Sequence, residues 1–185
     1  MHDDYRGVTR RDLHEFYGHL HPEETIKNTI WPRFRELGSQ PPAISAEPGE
    51  CVALCGPTGT GKTTIAWQLW ALWAAAEPFN CAFPQFFATT DLLEDIRRSF
   101  GGKPFELRPE KLLVLDDLGV ERPTEWVLEQ LYRIIDTRYR ALGRLIITTN
   151  LTPSALTERL GDRIVSRLVQ MCRWVNIDGS DRRLS

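Results

Sequence analysis

No excess of either charge marks this chain: 23 Lys and Arg stand against 25 Asp and Glu over 185 residues, a formal net charge of −2. A polycationic nucleic-acid binder is thereby excluded, and any contact with a polyanion must come from a local patch or from an assembly. Long apolar runs are also missing. The longest, Ala71 to Ala76 with its neighbours, is interrupted by Gln68 and Glu77, far short of the ~20 residues that cross a bilayer. With a mean hydropathy of −0.32, no membrane partner is expected. Cysteine is sparse, and Cys51, Cys55, Cys81 and Cys172 show no C-x-x-C spacing. Small buried thiols are expected rather than a zinc site or a disulfide frame. The opening Met1-His2-Asp3-Asp4 has no apolar core of a secretory signal, so a cytoplasmic location is expected. Repeats and low-complexity tracts are absent.

At this length one domain plus an extension is expected. The one clear break in composition is Gly38-Ser39-Gln40-Pro41-Pro42, followed by Pro48-Gly49, which reads as a linker. Residues 1–47 then form a short N-terminal extension, a possible partner-binding segment, and residues 48–185 the main body. The extension holds all four histidines, His2, His14, His19 and His21. Their spacing is no familiar ligand pattern. Leu13, Phe16, Tyr17 and Leu20 fall at helical spacing and read as an apolar face seeking a partner or the body.

Within the body, strand and helix signals alternate. Strands are expected at Cys51–Cys55, Phe83–Ala88, Lys111–Asp116, Arg144–Thr149 and Cys172–Ile177. Helices are expected at Lys62–Ala76, Thr90–Phe100, Thr124–Leu142, Ser154–Leu160 and Asp162–Val169. In the long Thr124–Leu142 helix, Leu128, Leu131, Tyr132, Ile135, Tyr139 and Leu142 form one face, and Gly143 stops it. Such alternation predicts an α/β fold with a parallel sheet covered on both faces.

Gly56-Pro57-Thr58-Gly59-Thr60-Gly61-Lys62-Thr63 fits G-x-x-x-x-G-K-[ST] at every fixed position, after a predicted strand and at the start of a predicted helix. This is a phosphate cradle for ATP, with Thr64 just behind it. Glycines let backbone N–H groups turn toward the phosphates, and the helix N-terminus adds partial positive charge. Lys62 is expected on the β- and γ-phosphates, and the Thr63 hydroxyl on Mg²⁺. The apolar strand Leu112-Leu113-Val114-Leu115 ends in Asp116-Asp117. Asp116 is the expected Mg²⁺-side acid and Asp117 the expected general base for water. Arg144-Leu145-Ile146-Ile147-Thr148-Thr149 ends in Asn150. If that strand lies between the other two, Asn150 is placed to sense the γ-phosphate and orient water.

Together these elements resemble the AAA+ branch of P-loop ATPases, and the segments between them resemble DnaC/DnaI-type helicase loaders. The resemblance runs through Phe86 to Arg97, through Asp116-Asp117-Leu118-Gly119-Val120-Glu121-Arg122-Pro123-Thr124-Glu125-Trp126, and on to Ile134–Tyr139 and Thr148–Leu151. It implies a three-layer α/β/α sandwich with a five-stranded parallel sheet and, with about eight residues after the last strand, no helical lid domain. It implies an ATPase that binds single-stranded DNA, forms an ATP-dependent homo-oligomer and loads a replicative DNA helicase. Gly161-Asp162-Arg163-Ile164-Val165-Ser166-Arg167-Leu168 resembles the box that carries the arginine finger, so Arg167, and next Arg163, are expected to act on a neighbouring subunit's ATP. A solvated face shared by Arg159, Arg163 and Arg167 is the competing reading. Arg182 or Arg183 is a loose match to a second sensor. The related IstB-type transposition helpers usually carry Asp-Glu where this chain has Asp116-Asp117, so a transposase helper stands as the alternative, and a P-loop small-molecule kinase as a more distant one. Trp67, Trp70 and Trp73 read as core or interface rather than as a DNA-stacking platform. Arg97, Arg98, Lys103, Arg108 and Lys111 are the candidate basic patch.

Overall fold

The computed structural model describes residues 44, 50–76, 85–99, 107 and 112–178. The readings made on the N-terminal extension and its histidines, on the linker, and on Cys81, Lys103, Arg108, Lys111, Arg182 and Arg183 lie outside the described residues.

Five strands form one all-parallel sheet in the order β2-β3-β4-β1-β5: β1 (Cys51–Cys55), β2 (Gln85–Ala88), β3 (Leu113–Asp116), β4 (Leu145–Thr149) and β5 (Cys172–Asn176). The helices are α1 (Lys62–Ala76), α2 (Thr89–Arg98), α3 (Glu125–Arg140), α4 (Pro153–Leu160) and α5 (Asp162–Met171). The central strands are apolar throughout because water reaches neither face. Val52, Leu54, Val114 and Ile146 point to one side, where they meet Ile65, Trp67, Leu69, Trp70 and Trp73 of α1. Ala53, Leu113, Leu115, Leu145 and Ile147 point to the other side, against Leu92 and Leu93 of α2, Leu131 and Ile135 of α3, Leu156 of α4 and Leu168 of α5. The period-two alternation of each strand thus builds two cores back to back.

Trp70 and Trp73 are fully buried, and Trp67 stacks on Phe86 of β2 with ring centroids 4.0 Å apart. The α1 tryptophans are core, as expected, and offer no platform for a base. Thr124 caps α3, its hydroxyl accepting from the Val127 amide at 3.3 Å.

Three expectations are corrected. The α3 helix ends at Arg140, so Leu142 falls outside it at φ +52°, 90% exposed. The buried face of α3 is instead Val127, Leu131, Ile134, Ile135 and Arg138, because the stripe must point at β4 rather than follow its most C-terminal leucine. Gly161 separates α4 from α5 at φ +86°, so Arg159 does not share a helical face with Arg163 and Arg167. Finally, among the described cysteines Cys51 and Cys55 are half-buried and Cys172 alone is buried. Cys51 and Cys172 are register partners across β1 and β5. The Cys51 thiol donates to Gly143 O at 3.5 Å, and the adjacent Cys172 thiol, more than any other cause, lowers the Cys51 thiol to about 7 while that of Cys172 is raised.

Candidate nucleotide-binding site

The parallel sheet brings the C-terminal ends of β1, β3 and β4 to one edge, and the loop after β1 curls there into the N-terminus of α1. Gly56 is the hinge of that loop. Its φ of +146° is left-handed territory, and a Cβ would sit 2.3 Å from the Ile177 carbonyl oxygen, so no other residue fits. Ile177 is fixed there by donating its amide to Cys55 O at 2.7 Å. The end of β5 therefore closes over the start of the loop.

Pro57 and Thr58 are exposed at the tip, and Thr60 is buried with its hydroxyl on Pro57 O at 2.9 Å. Lys62 is only 5% exposed, and its ammonium donates to Gly56 O at 2.8 Å and to Pro57 O at 2.7 Å. A lysine buried inside a loop of its own carbonyls, at the positive end of a helix, is a cation stored where an anion belongs. Gly59 and Gly61, at φ +83° and +91°, let the same backbone turn its amides toward that anion.

Asp116 ends β3 facing α1. Its Oδ1 accepts from the Thr63 hydroxyl at 3.0 Å and from the Thr148 hydroxyl at 2.6 Å. Burial is the main force raising its carboxyl above the ordinary value, and the neighbouring Asp117 charge adds to it; the two hydroxyls and Lys62 pull the other way. Two hard oxygen donors, Thr63 Oγ1 and Asp116 Oδ1, thus lie 3.0 Å apart beside the cradle, a donor set that fits Mg²⁺. At Asp117 the chain leaves the strand at φ +56°, and its amide turns onto Thr148 Oγ1 at 2.8 Å. Its half-buried side chain follows Asp116 at the same edge.

The next turn is tied down as well. Leu118 N donates to Thr148 O at 2.8 Å, and Thr149 Oγ1 donates to Leu118 O at 2.7 Å. Both Glu121 carboxylate oxygens accept from the Gly119 amide at 3.0–3.1 Å, and Arg159 of α4 donates to the carbonyls of Glu121 and Val120. Burial, above all else, raises the Glu121 carboxyl.

Lys62, Thr63, Asp116 and Asp117 therefore converge, as the sequence predicts. Asn150 lies one residue beyond β4, between β3 and β1 in strand order as anticipated, with an exposed side chain that makes no hydrogen bond among the described residues. Arg163 is exposed on α5, its side chain likewise unbonded among the described residues. Arg167 is not a solvated-face residue. Its Nε donates to Asp136 Oδ1 at 2.8 Å, its Nη1 to Arg163 O at 2.7 Å and its Nη2 to Tyr132 Oη at 3.2 Å, over the Tyr132 ring. Asp136 also pairs with Arg140 at 2.9 Å, so two guanidiniums share one carboxylate and the cluster stays cationic. In the basic patch, Arg97 stacks over Trp126, and Arg98 pairs with Glu94 at 2.7 Å.

Sequence reasoning passed over Thr148, Thr89 and Glu121. Thr89 is buried and donates its hydroxyl to Asp116 O at 2.9 Å. The available signal was a hydroxyl inside an apolar strand: Thr148 sits two residues before Asn150, on the same face of β4, fully buried.

A parallel α/β sheet with a P-loop at the end of its β1 and an acidic pair at the end of its β3 defines a P-loop ATPase fold of the AAA+ type. The chain belongs to the family of IstB-like ATP binding proteins, whose sequence model matches residues 45–185. Among solved structures it is similar to the DnaC helicase loader, with 25% identity and a TM-score of 0.62 over 92% of this chain and 100% of that one. Among curated proteins it is 29% identical over 132 residues to the phage-like element PBSX protein XkdC of Bacillus subtilis, covering 65% of this chain and 47% of that protein. It is 32% identical over 142 residues to an ATP-binding protein ascribed to an insertion sequence of Sinorhizobium fredii, covering 71% of this chain and 56% of that one. The chain thus spans about half the length of the curated relatives it matches.

Proposed function

We propose that this protein binds and hydrolyses MgATP in an assembly formed on single-stranded DNA, and that it uses the ATP cycle to load a replicative helicase. The observation that carries the reading is the convergence of a buried Lys62, the Thr63–Asp116 oxygen pair and the adjacent Asp117 at the C-terminal edge of the sheet, in a chain similar over 92% of its length to a helicase loader. In this reading Gly56 to Thr64 hold the triphosphate, with Lys62 exchanging its carbonyl partners for phosphate oxygens. Thr63 and Asp116 hold Mg²⁺, which neutralises charge on the phosphates. Asp117 takes the proton of the attacking water, and Asn150 orients that water. Arg167, with Arg163 beside it, meets the ATP of a neighbouring subunit.

Matches to an insertion-sequence ATP-binding protein favour a second reading, in which the same ATPase delivers DNA to a transposase. The Asp116-Asp117 pair weighs toward the loader, and family membership weighs against a small-molecule kinase.

Two variants test the chemistry. Lys62→Ala should reduce MgATP affinity severely, measured by titration calorimetry, because the cradle loses its buried cation. Asp117→Asn should keep that affinity and lose turnover, because the amide fills the space but takes no proton. Unchanged affinity in the first, or normal turnover in the second, contradicts the assignment. Gel filtration with the replicative helicase, or with the transposase, from the same source separates the two partners: ATP-dependent co-elution with the transposase alone would overturn helicase loading.

A further inference from the structure

We infer that Thr148 is a positioning residue that sets both carboxylates of the site at once, an inference that rests on the roles proposed above for Asp116 and Asp117. Its hydroxyl is used in two directions. The proton goes to Asp116 Oδ1 at 2.6 Å, the shortest bond among those Asp116 makes, and a lone pair receives the Asp117 amide at 2.8 Å. The two ends of this bridge do different things. One fixes the rotamer of Asp116, whose Oδ1 faces Thr63. The other holds the Asp117 backbone at φ +56°, a left-handed conformation that residues with a Cβ adopt uncommonly, aspartate more readily than most.

The strand ladder explains why a side chain is needed. β3 and β4 stay in register through Leu115 and Ile147. Pairing resumes with Leu118 N on Thr148 O. Between these points the chain turns left-handed, the Asp117 amide has no ladder carbonyl to meet, and the Thr148 hydroxyl takes that carbonyl's place. Full burial of Thr148 removes water as a substitute. Only a hydroxyl donates and accepts at this spacing, so serine replaces threonine here, whereas the isosteric valine does neither.

Groups that orient a metal ligand typically matter by ~10–100-fold in metal affinity or activity. Affinity for a fluorescent ADP is measured in EDTA and again in Mg²⁺, alongside kcat and KM for ATP. Thr148→Val should bind the nucleotide as wild type does in EDTA, lose most of the increment that Mg²⁺ adds, and lose kcat by about 10–100-fold, with KM rising no further than the lost increment requires. Thr148→Ser should restore both. Thr149→Val is the control for stability. That residue is equally buried and its hydroxyl also makes two bonds, donating to Leu118 O and accepting from the Leu151 amide, so Thr149→Val should melt earlier yet keep the Mg²⁺ increment. If Thr148→Val does not fold, Thr148→Ala, which demands no extra volume, takes its place beside Thr148→Ser. A normal increment in the hydroxyl-less variant, or an increment lost equally in Thr148→Ser, overturns the inference. Asp116→Asn distinguishes the levels of failure. An increment lost there but normal in Thr148→Val sinks the positioning role alone. A normal increment in both sinks the metal assignment with it.

Discussion

Asp116 carries a conflict between its charge and its burial. Burial and the charge of Asp117 raise its carboxyl above the ordinary carboxylate value, so the nucleotide-free fold holds the proton more tightly than the unfolded chain does. Stability therefore falls as pH rises from the ordinary carboxylate range through the raised folded value, and the penalty stands in full above it. Glu121, also raised by burial, adds in the same direction. Asp116→Asn removes the charge while its carbonyl oxygen still accepts from Thr63 and Thr148. Without nucleotide, the variant should melt a few degrees higher than wild type at pH 7, and the gap should close as pH is lowered through the carboxylate range. Scanning calorimetry from pH 4 to 8 measures this. A gap independent of pH, or a variant that melts earlier at pH 7, would mean that the buried charge is not the cost. The placement of Asp116 and Asp117 beside the P-loop was legible in the sequence because an apolar strand ending in two acids after a P-loop leaves few alternatives. Thr148 was not, because a threonine inside a β-branched strand looks like any other strand former until its partner on β3 is known.

At the scale of elements, α1 links the cradle to the core. Its first residues, Lys62 and Thr63, belong to the site, while Trp67, Trp70 and Trp73 anchor the helix on one face of the sheet. Deleting a fully buried indole typically costs roughly 3–5 kcal/mol. Trp70→Ala should accordingly show a loss of that order in urea unfolding, with nucleotide affinity falling only as far as the folded fraction falls. Unchanged stability together with a selective loss of DNA binding would instead make these rings a DNA surface. Element type and order were legible from hydrophobic periodicity alone, and the sheet order agrees with a P-loop between β1 and α1. The α3 boundary was not. Leu142 continues the 3–4 spacing past the helix end, and only packing against β4, with the Gly143 amide donating to Arg138 O at 2.8 Å, shows that the stripe stops earlier. The Gly161 break between α4 and α5 was legible, since two helices were expected on either side of it; what it did not reveal was that the four-residue spacing of Arg159, Arg163 and Arg167 crosses from one helix to the other.

At the scale of the whole molecule, Arg167, proposed above to act on a neighbouring subunit's ATP, makes its side-chain hydrogen bonds to Asp136, Arg163 O and Tyr132 and none to Lys62 or Asp116. Every hydrogen bond of Arg167 runs to α3 or within α5. These bonds occupy three of the five N–H donors a guanidinium has, which leaves a fixed cation with spare donors on the surface of the protomer. If that cation completes a neighbour's site, turnover per protomer should rise with protein concentration, and single-stranded DNA should raise it further by templating assembly. Arg167→Ala should bind MgATP normally and lose turnover by about 10³-fold or more. The family resemblance made Arg163 and Arg167 the candidates for that role, but the anchoring of Arg167 was not legible, because Asp136 lies on α3, far from it in sequence. The most direct measurement mixes Arg167→Ala with Asp117→Asn in equal amounts under conditions where both co-assemble. Each variant is inactive alone, one for want of the finger and the other for want of the base. In a random head-to-tail assembly about one interface in four pairs an intact base with an intact finger, so roughly a quarter of wild-type turnover should return. No recovery in verified mixed assemblies, or normal hydrolysis by Arg167→Ala alone, would contradict a shared site and leave Arg167 as the partner that pins α5 to Asp136.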